Sequence, residues 1–169
     1  MAIHITPVGT RGARVPTRGF LARLSRPLGE LMIWMHRRSG GQRLSRMMGF
    51  PVVLLTTVGS STGLRRTAPV GGFPDGEEAW LVVASLAGAA RHPAWFINMA
   101  RHPDDIWLEV GTRRFKVQGR SLKGRERADA LRRIAELSPR YGKYQQQTDR
   151  EIPIVRLTTE RDRGASRSG

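Results

Sequence analysis

Cysteine is absent from the 169 residues, which excludes disulfides, thiolate metal sites, iron–sulfur clusters and a thiol nucleophile together. Histidine is scarce as well, and four dispersed histidines with no close pair do not make a metal site. No apolar run approaches the length of a membrane span, and arginines and prolines interrupt the N-terminus before any stretch long enough for a signal sequence. The chain is expected in the cytoplasm. Acidic residues are also few, 14 against 29 Lys plus Arg, for a formal net charge of +15. The shortage is sharpest at the start, where residues 1–49 carry nine arginines and the single acid Glu30. Such a surface attracts nucleic acid, an anionic membrane face or a polyanionic small molecule, and charge alone does not choose among them.

What is present fits one globular domain. The hydrophobic fraction of 39% and the charged fraction of 25% are those of a chain with a packed core. Residues 1–19, rich in Gly, Pro, Thr and Arg, read as a flexible basic arm. Residues 20–48 read as an amphipathic helical region. Its stripe of Phe20, Leu24, Leu28, Leu31 and Met35 recurs at helical spacing beside Arg23, Arg26, Arg37 and Arg38, with a kink or a new helix start at Pro27. Such a stripe serves either core packing or an anionic membrane surface. Residues 49–158 read as the main domain. Strands are expected at 52–57, 67–73, 79–85, 106–110, 113–118 and 153–158, with helices at 93–101 and 123–137; Pro69 and the Gly71-Gly72 pair loosen the second strand. The longer helix is expected to bury Ala128, Leu131, Ile134, Ala135 and Ser138. Residues 159–169 read as a frayed tail. Six short strands joined mostly by hairpins favour an α+β fold, an antiparallel barrel with helices on its outside.

Gly59-Ser60-Ser61-Thr62-Gly63 matches the nucleophile elbow of serine hydrolases, G-x-S-x-G, but the chain continues into a strand where that motif requires a helix. The same loop reads better as an anion cradle of backbone N–H groups and hydroxyls, with Arg65 and Arg66 adding charge. Trp95, Phe96, Asn98 and Met99 cluster on one expected helix. Tyr141 and Tyr144 are the two tyrosines of the chain, in a loop-like stretch, and phenols can donate to a carbonyl or nitro oxygen that gains charge.

Taken in series, Leu54 to Gly59, Thr62-Gly63 with Arg66, Val82 to Ser85, Arg91 to Asn98, Tyr141 to Tyr144, Thr148 to Arg150 and Ile152 to Val155 resemble the deazaflavin-dependent nitroreductase family. The resemblance runs from about residue 50 to 157 and implies a six-stranded, mainly antiparallel split β-barrel with peripheral helices, binding coenzyme F-420, an 8-hydroxy-5-deazaflavin. It implies hydride transfer to a small-molecule quinone, enone or nitroaromatic, and no nucleic-acid partner. On that analogy Ser60, Ser61 and Arg66 meet the cofactor's phosphate and tail. Pro69, Ser85, Trp95 and Asn98 line its ring, and Tyr141, Tyr144 and Ser85 face the acceptor in a catalytic role. The chain departs from the family pattern at Ser60, Ser61 and Leu86, where cations are common. FMN in the same groove is the alternative cofactor reading, and a non-catalytic relative that binds a membrane or polyanion is a third. An anionic membrane surface met by residues 20–38, on the inner face of the cell membrane, and a homodimer complete the expectations.

Overall fold

The computed structural model describes residues 2–15 and 20–160, with side chains from residue 27 onward in the second segment. Met1, residues 16–19 of the arm, the stripe side chains of Phe20 and Leu24, and residues 161–169 of the tail lie outside the described residues. Six strands, β1 (Val52–Val58), β2 (Arg65–Pro74), β3 (Ala79–Val83), β4 (Trp107–Val110), β5 (Arg113–Ser121) and β6 (Ile154–Thr159), close into a barrel in the order β1-β2-β3-β6-β5-β4. Every pairing is antiparallel. The fold is the antiparallel barrel with outer helices that the hairpin spacing implies.

Alternation along the strands sets up two cores. One face of each strand fills the barrel with Val53, Leu55, Val82, Leu108, Val117, Val155 and Leu157, and helix α3 (Ala94–Arg101) adds Phe96 and Met99. A second core forms outside the barrel from Phe73, Leu81, Val83, Ile152 and Ile154, covered by α4 (Gly124–Leu137) and α5 (Arg140–Gln147). Helix α4 buries Ala130 and Ile134 with Ser138 after it and half-buries Leu131 and Ala135, so the expected face is the covered one except at Ala128, which is exposed. Arg127 of the same helix donates to the Ile152 carbonyl at 2.9 and 2.7 Å.

Strand β2 is unbroken through Pro69, Gly71 and Gly72. Pro69 lies opposite Leu54 of β1 but outside the stretch that pairs with β3, so its missing N–H disrupts no ladder on that side. A Cβ on Gly72 would collide with Val53, which makes this glycine a requirement of close strand packing.

Helix α1 (Phe20–Ser39) continues through Pro27, so no new helix starts there. Its C-terminal half docks on the barrel: Arg37 pairs with Glu109 of β4, and buried His36 bonds through Nε2 to the Val52 carbonyl at 3.1 Å. Helix α2 (Gln42–Met48) then folds back beside α1, anchored by fully buried Leu44.

The arm is a further difference. Residues 2–15 are tied to the barrel wall by hydrogen bonds from Ser121 N–H to the Ala2 carbonyl, Gly9 N–H to the Ala90 carbonyl and Ala13 N–H to the Gly88 carbonyl. Glycine-rich composition signals flexibility when no partner is in view. Here Gly12 is demanded by contact, because a Cβ would strike the backbone at 88–90.

Candidate functional site

At one end of the barrel β1 runs out at Val58, the loop 59–64 turns, and β2 begins with Arg65. Helix α3 closes this end and presents Asn98, which is 6% exposed. The Asn98 amide works in both directions: Oδ1 accepts from the Ser60 N–H at 2.9 Å and Nδ2 donates to Thr57 Oγ1 at 3.2 Å. Asn98 therefore clamps the loop to the barrel. The remaining loop amides turn inward, Gly59 to the Leu64 carbonyl (2.8 Å), Thr62 and Gly63 to the Gly59 carbonyl (3.2 and 2.8 Å), and Leu64 to Thr62 Oγ1 (3.4 Å).

This corrects the reading of the loop as a cradle of backbone N–H groups, since among the described residues only the Ser61 amide of 59–64 is left without a partner. Loops of this composition bond to themselves when both glycines serve the turn. What the loop offers an anion is the exposed Ser61 and half-exposed Ser60 hydroxyls, with exposed Arg66 following at the start of β2. Arg66 sits opposite Thr57 on the inward row at the barrel mouth and is exposed, whereas Arg65 lies over the Trp107 ring at 4.3 Å. No helix follows the loop, so the elbow reading of G-x-S-x-G is excluded. Trp95, one helical turn before Asn98, is half-buried against the barrel core and meets Phe96 edge-on.

A second group lies along the outer row of β2. Pro69 and Gly71 share that row, and a Cβ on Gly71 would collide with the Tyr141 hydroxyl. The stretch 140–147 is helical, α5, rather than loop-like, so Tyr141 and Tyr144 sit one turn apart with their rings edge-on at 5.7 Å. Their surroundings differ. Tyr141 is 5% exposed, wedged edge-on between Phe50 and Phe73, and burial raises its phenol above the ordinary value. Tyr144 is half-buried at the rim. Of the two, Tyr144 has the surroundings of a donor to a ligand and Tyr141 those of a core residue.

Ser85 follows β3 and opens a turn in which Leu86, Ala87 and Gly88 all have positive φ, at 44°, 52° and 77°. Two consecutive non-glycine residues in the left-handed region store strain of order 1–3 kcal/mol each. A built network holds them. Arg150, 3% exposed, donates to the carbonyls of Ala84 (2.9 Å), Ser85 (2.9 Å) and Ala89 (2.7 Å), and its Nη1 meets His92 Nδ1 at 3.3 Å. Because His92 Nε2 donates to the Thr6 carbonyl at 2.7 Å, Nδ1 is the acceptor and the imidazole is neutral; burial, ahead of other causes, lowers its pKa. Burial alone brings the Arg150 guanidinium down to about 10. Asp149 fastens the arm to the same corner by accepting from Thr10 Oγ1 and the Thr10 and Arg11 amides, which hold its carboxyl down at about 2. Ser85 Oγ bonds to no protein group among the described residues although the residue is only 8% exposed.

The structure thus brings Ser60, Ser61, Arg66, Trp95 and Asn98 together at the barrel mouth, and Pro69, Tyr141 and Tyr144 along β2 and α5. Ser85 stands in the turn that packs against α5. Arg150 and His92 fall in stretches that carry the family resemblance, but the resemblance assigns them no role, and an arginine after Thr148-Asp149 or a histidine before proline says nothing of the carbonyls they serve. Two cavities lie elsewhere: one of about 490 Å³ under Trp80 and Phe115, and one of about 370 Å³ between α1 and α2. No cluster that could hold a metal ion occurs among the described residues.

Comparison with known proteins agrees with this architecture. The profile of a family described as F-420H(2)-dependent quinone reductase matches residues 30–159. An F-420H(2)-dependent quinone reductase of Mycobacterium tuberculosis (strain H37Rv) is 33% identical over 145 residues, covering 80% of this chain and 95% of the relative. Among solved structures, an F-420-H2 dependent reductase superposes with a TM-score of 0.57 at 31% identity, over 63% of this chain and 93% of that one. Another, described as a domain-swapped dimer, gives 0.59 at 26% identity, over 82% and 99%.

Proposed function

The chain belongs to the F-420H(2)-dependent quinone reductase family, and from that premise we propose that it passes a hydride from reduced coenzyme F-420 to a quinone, with enones and nitroaromatics as further electron-poor acceptors. The observation that carries this reading is the match over residues 30–159, which spans every strand of the barrel and helices α2 to α5. Family membership supports the deazaflavin and gives no support to FMN.

When bound, the reduced deazaflavin supplies the hydride, and the protein's part is to bind, orient and stabilise. Arg66 holds the phosphate or a tail carboxylate with paired hydrogen bonds, aided by the Ser60 and Ser61 hydroxyls. Trp95 and Pro69 give the ring apolar walls. Asn98 acts through Ser60 by fixing the loop, which its two bonds support. Tyr144 and Ser85 donate to the acceptor oxygen as it gains charge, and Tyr141 shapes the wall behind them. The unengaged Ser85 hydroxyl and the exposed Arg66 suit these roles, since neither is committed to a charged group among the described residues.

The protein works in the cytoplasm with α1 toward the inner face of the membrane, where a lipid-soluble quinone is reached, and a homodimer is the assembly favoured by the domain-swapped relative. Titration of the purified chain with coenzyme F-420, followed by reduction assays on a quinone, an enone and a nitroaromatic, tests the reading. Saturable binding and quinone-dependent oxidation of the reduced cofactor are expected; a co-purified flavin with no deazaflavin binding would overturn it.

A further inference from the structure

Helices α1 and α2 form a hairpin whose inner side is anchored on the barrel. His36 and Arg37 of α1 reach β1 and β4, Leu44 of α2 is buried, and Ser45 Oγ accepts from the Val52 N–H at 3.0 Å. The turn between the helices is tight: Gly40 and Gly41 have φ of 60° and 80°, and a Cβ on Gly41 would stand 2.8 Å from His36 Nε2. The hairpin's outer side is therefore presented in one arrangement.

That outer side carries a concavity of about 370 Å³ lined by Trp34, Met35, Arg38, Ser39, Gln42, Arg43 and Arg46. Three arginines line it, no carboxylate does, and none of the three takes part in an ion pair among the described residues; the Arg38 guanidinium lies 5.7 Å over the Trp34 ring. Like charges gathered around one hollow repel each other unless an anion sits among them. Beside the hollow stand large apolar side chains in water: Leu28 and Trp34 at 58% exposure, Leu31 at 50% and Met47 at 62%. Leu28, Leu31 and Trp34 follow one another at three-residue steps, on one side of α1. No helix of the described residues is long and apolar enough to cross a membrane.

We propose that the α1–α2 hollow binds the phosphate of an anionic phospholipid headgroup, with Leu28, Leu31, Trp34 and Met47 resting among the adjoining acyl chains. Paired guanidiniums recognise phosphate oxygens through forked hydrogen bonds, and apolar side chains bordering a basic patch are the pattern of an interfacial helix. A polynucleotide would match the charge but leave the four apolar side chains in water. The proposal rests on the membrane-facing reading of α1 and is independent of hydride transfer.

The test is co-sedimentation of the full chain with vesicles of phosphatidylcholine alone, or of phosphatidylcholine with a minority of phosphatidylglycerol. Binding to the mixed vesicles only is expected. Substituting Arg38→Gln, Arg43→Gln and Arg46→Gln together should weaken it roughly a hundredfold, at about fivefold per cation. The same number of charges removed from elsewhere, Arg101→Gln, Lys123→Gln and Arg125→Gln, should change it by less than about threefold. Equal loss in both triple variants would overturn the pocket while leaving the membrane-facing reading in place. Failure of the unaltered chain to bind either vesicle, or its retention by duplex DNA in preference to the mixed vesicles, would overturn both. Inorganic phosphate tests the alternative source: displacement from vesicles by millimolar phosphate would make the hollow a site for the free ion.

Discussion

A few residues carry far more of the site than their exposure suggests. Asn98 satisfies two groups that would otherwise be stranded, so Asn98→Leu should cost about 1–3 kcal/mol in a urea denaturation series and should also loosen the loop that carries Ser60 and Ser61. A matching loss of cofactor affinity in a titration would tie that loop to binding. Gly71 offers a sharper check on Tyr141. Gly71→Ala should destabilise by about 1–3 kcal/mol because the new methyl collides with the phenol oxygen. Adding Tyr141→Phe should recover part of that loss, a coupling readable in a double-mutant cycle. Additive losses would mean that the ring, not its hydroxyl, fills the space over Gly71. Arg150→Met should be among the most damaging substitutions, since the carbonyls of Ala84, Ser85 and Ala89 lose their donor at the strained turn. None of these roles was legible from the amino acids. An asparagine on a helix, a glycine in a strand and a lone arginine each have a commoner explanation, and only the fold brings their partners within reach.

The elements themselves were more legible, because period-two and period-3.6 patterns report directly on which faces are buried. All six strands fall close to the expected ranges, each between turn residues or the ends of helices. Helix α5 is not legible because its sequence has no apolar stripe and carries Gly142 in its middle; packing of Tyr141 between Phe50 and Phe73 supplies what the pattern lacks. The arm misled for the opposite reason, since its anchors are carbonyls and carboxylates distant in sequence. The docking of α1 also has a pH signature. His36 is buried with Nδ1 unpartnered, and burial lowers its pKa from the ordinary value of 6.5, against the opposing pull of the Val52 carbonyl and Glu109 and with Arg37 adding to the decrease. His92 is shifted the same way. A lowered folded pKa means that the unfolded chain binds more protons, so stability is complete above about pH 6.5 and falls as pH drops from there toward the folded value. Urea midpoints between about pH 7 and 5 should show this decline, and His36→Gln, which keeps a donor for Val52 but cannot titrate, should flatten part of it. An unchanged slope would place the sensitivity at His92 instead.

At the scale of the whole molecule, the excess of 29 basic over 14 acidic residues reads in the sequence as an undirected attraction to anions. The fold gives it direction by spending some arginines on internal partners, Arg150 on carbonyls, Arg37 on Glu109 and Arg156 on Asp75, and leaving others at the barrel mouth and on the α1–α2 hairpin. The tethered arm has a consequence for the chain as a loop. The Ala2 carbonyl is bonded to Ser121 N–H, while the Glu160 N–H is bonded to the Lys116 carbonyl, so both ends of the described chain meet the same strand, β5. Five residue-to-residue steps of strand, from Lys116 to Ser121, separate those anchors, a span of about 17 Å. A flexible linker of roughly ten residues, about 16–19 Å in typical end-to-end reach, would join the two ends. With new ends opened at the exposed Gly76-Glu77 turn, the permuted chain should keep its barrel and its thermal midpoint within a few degrees.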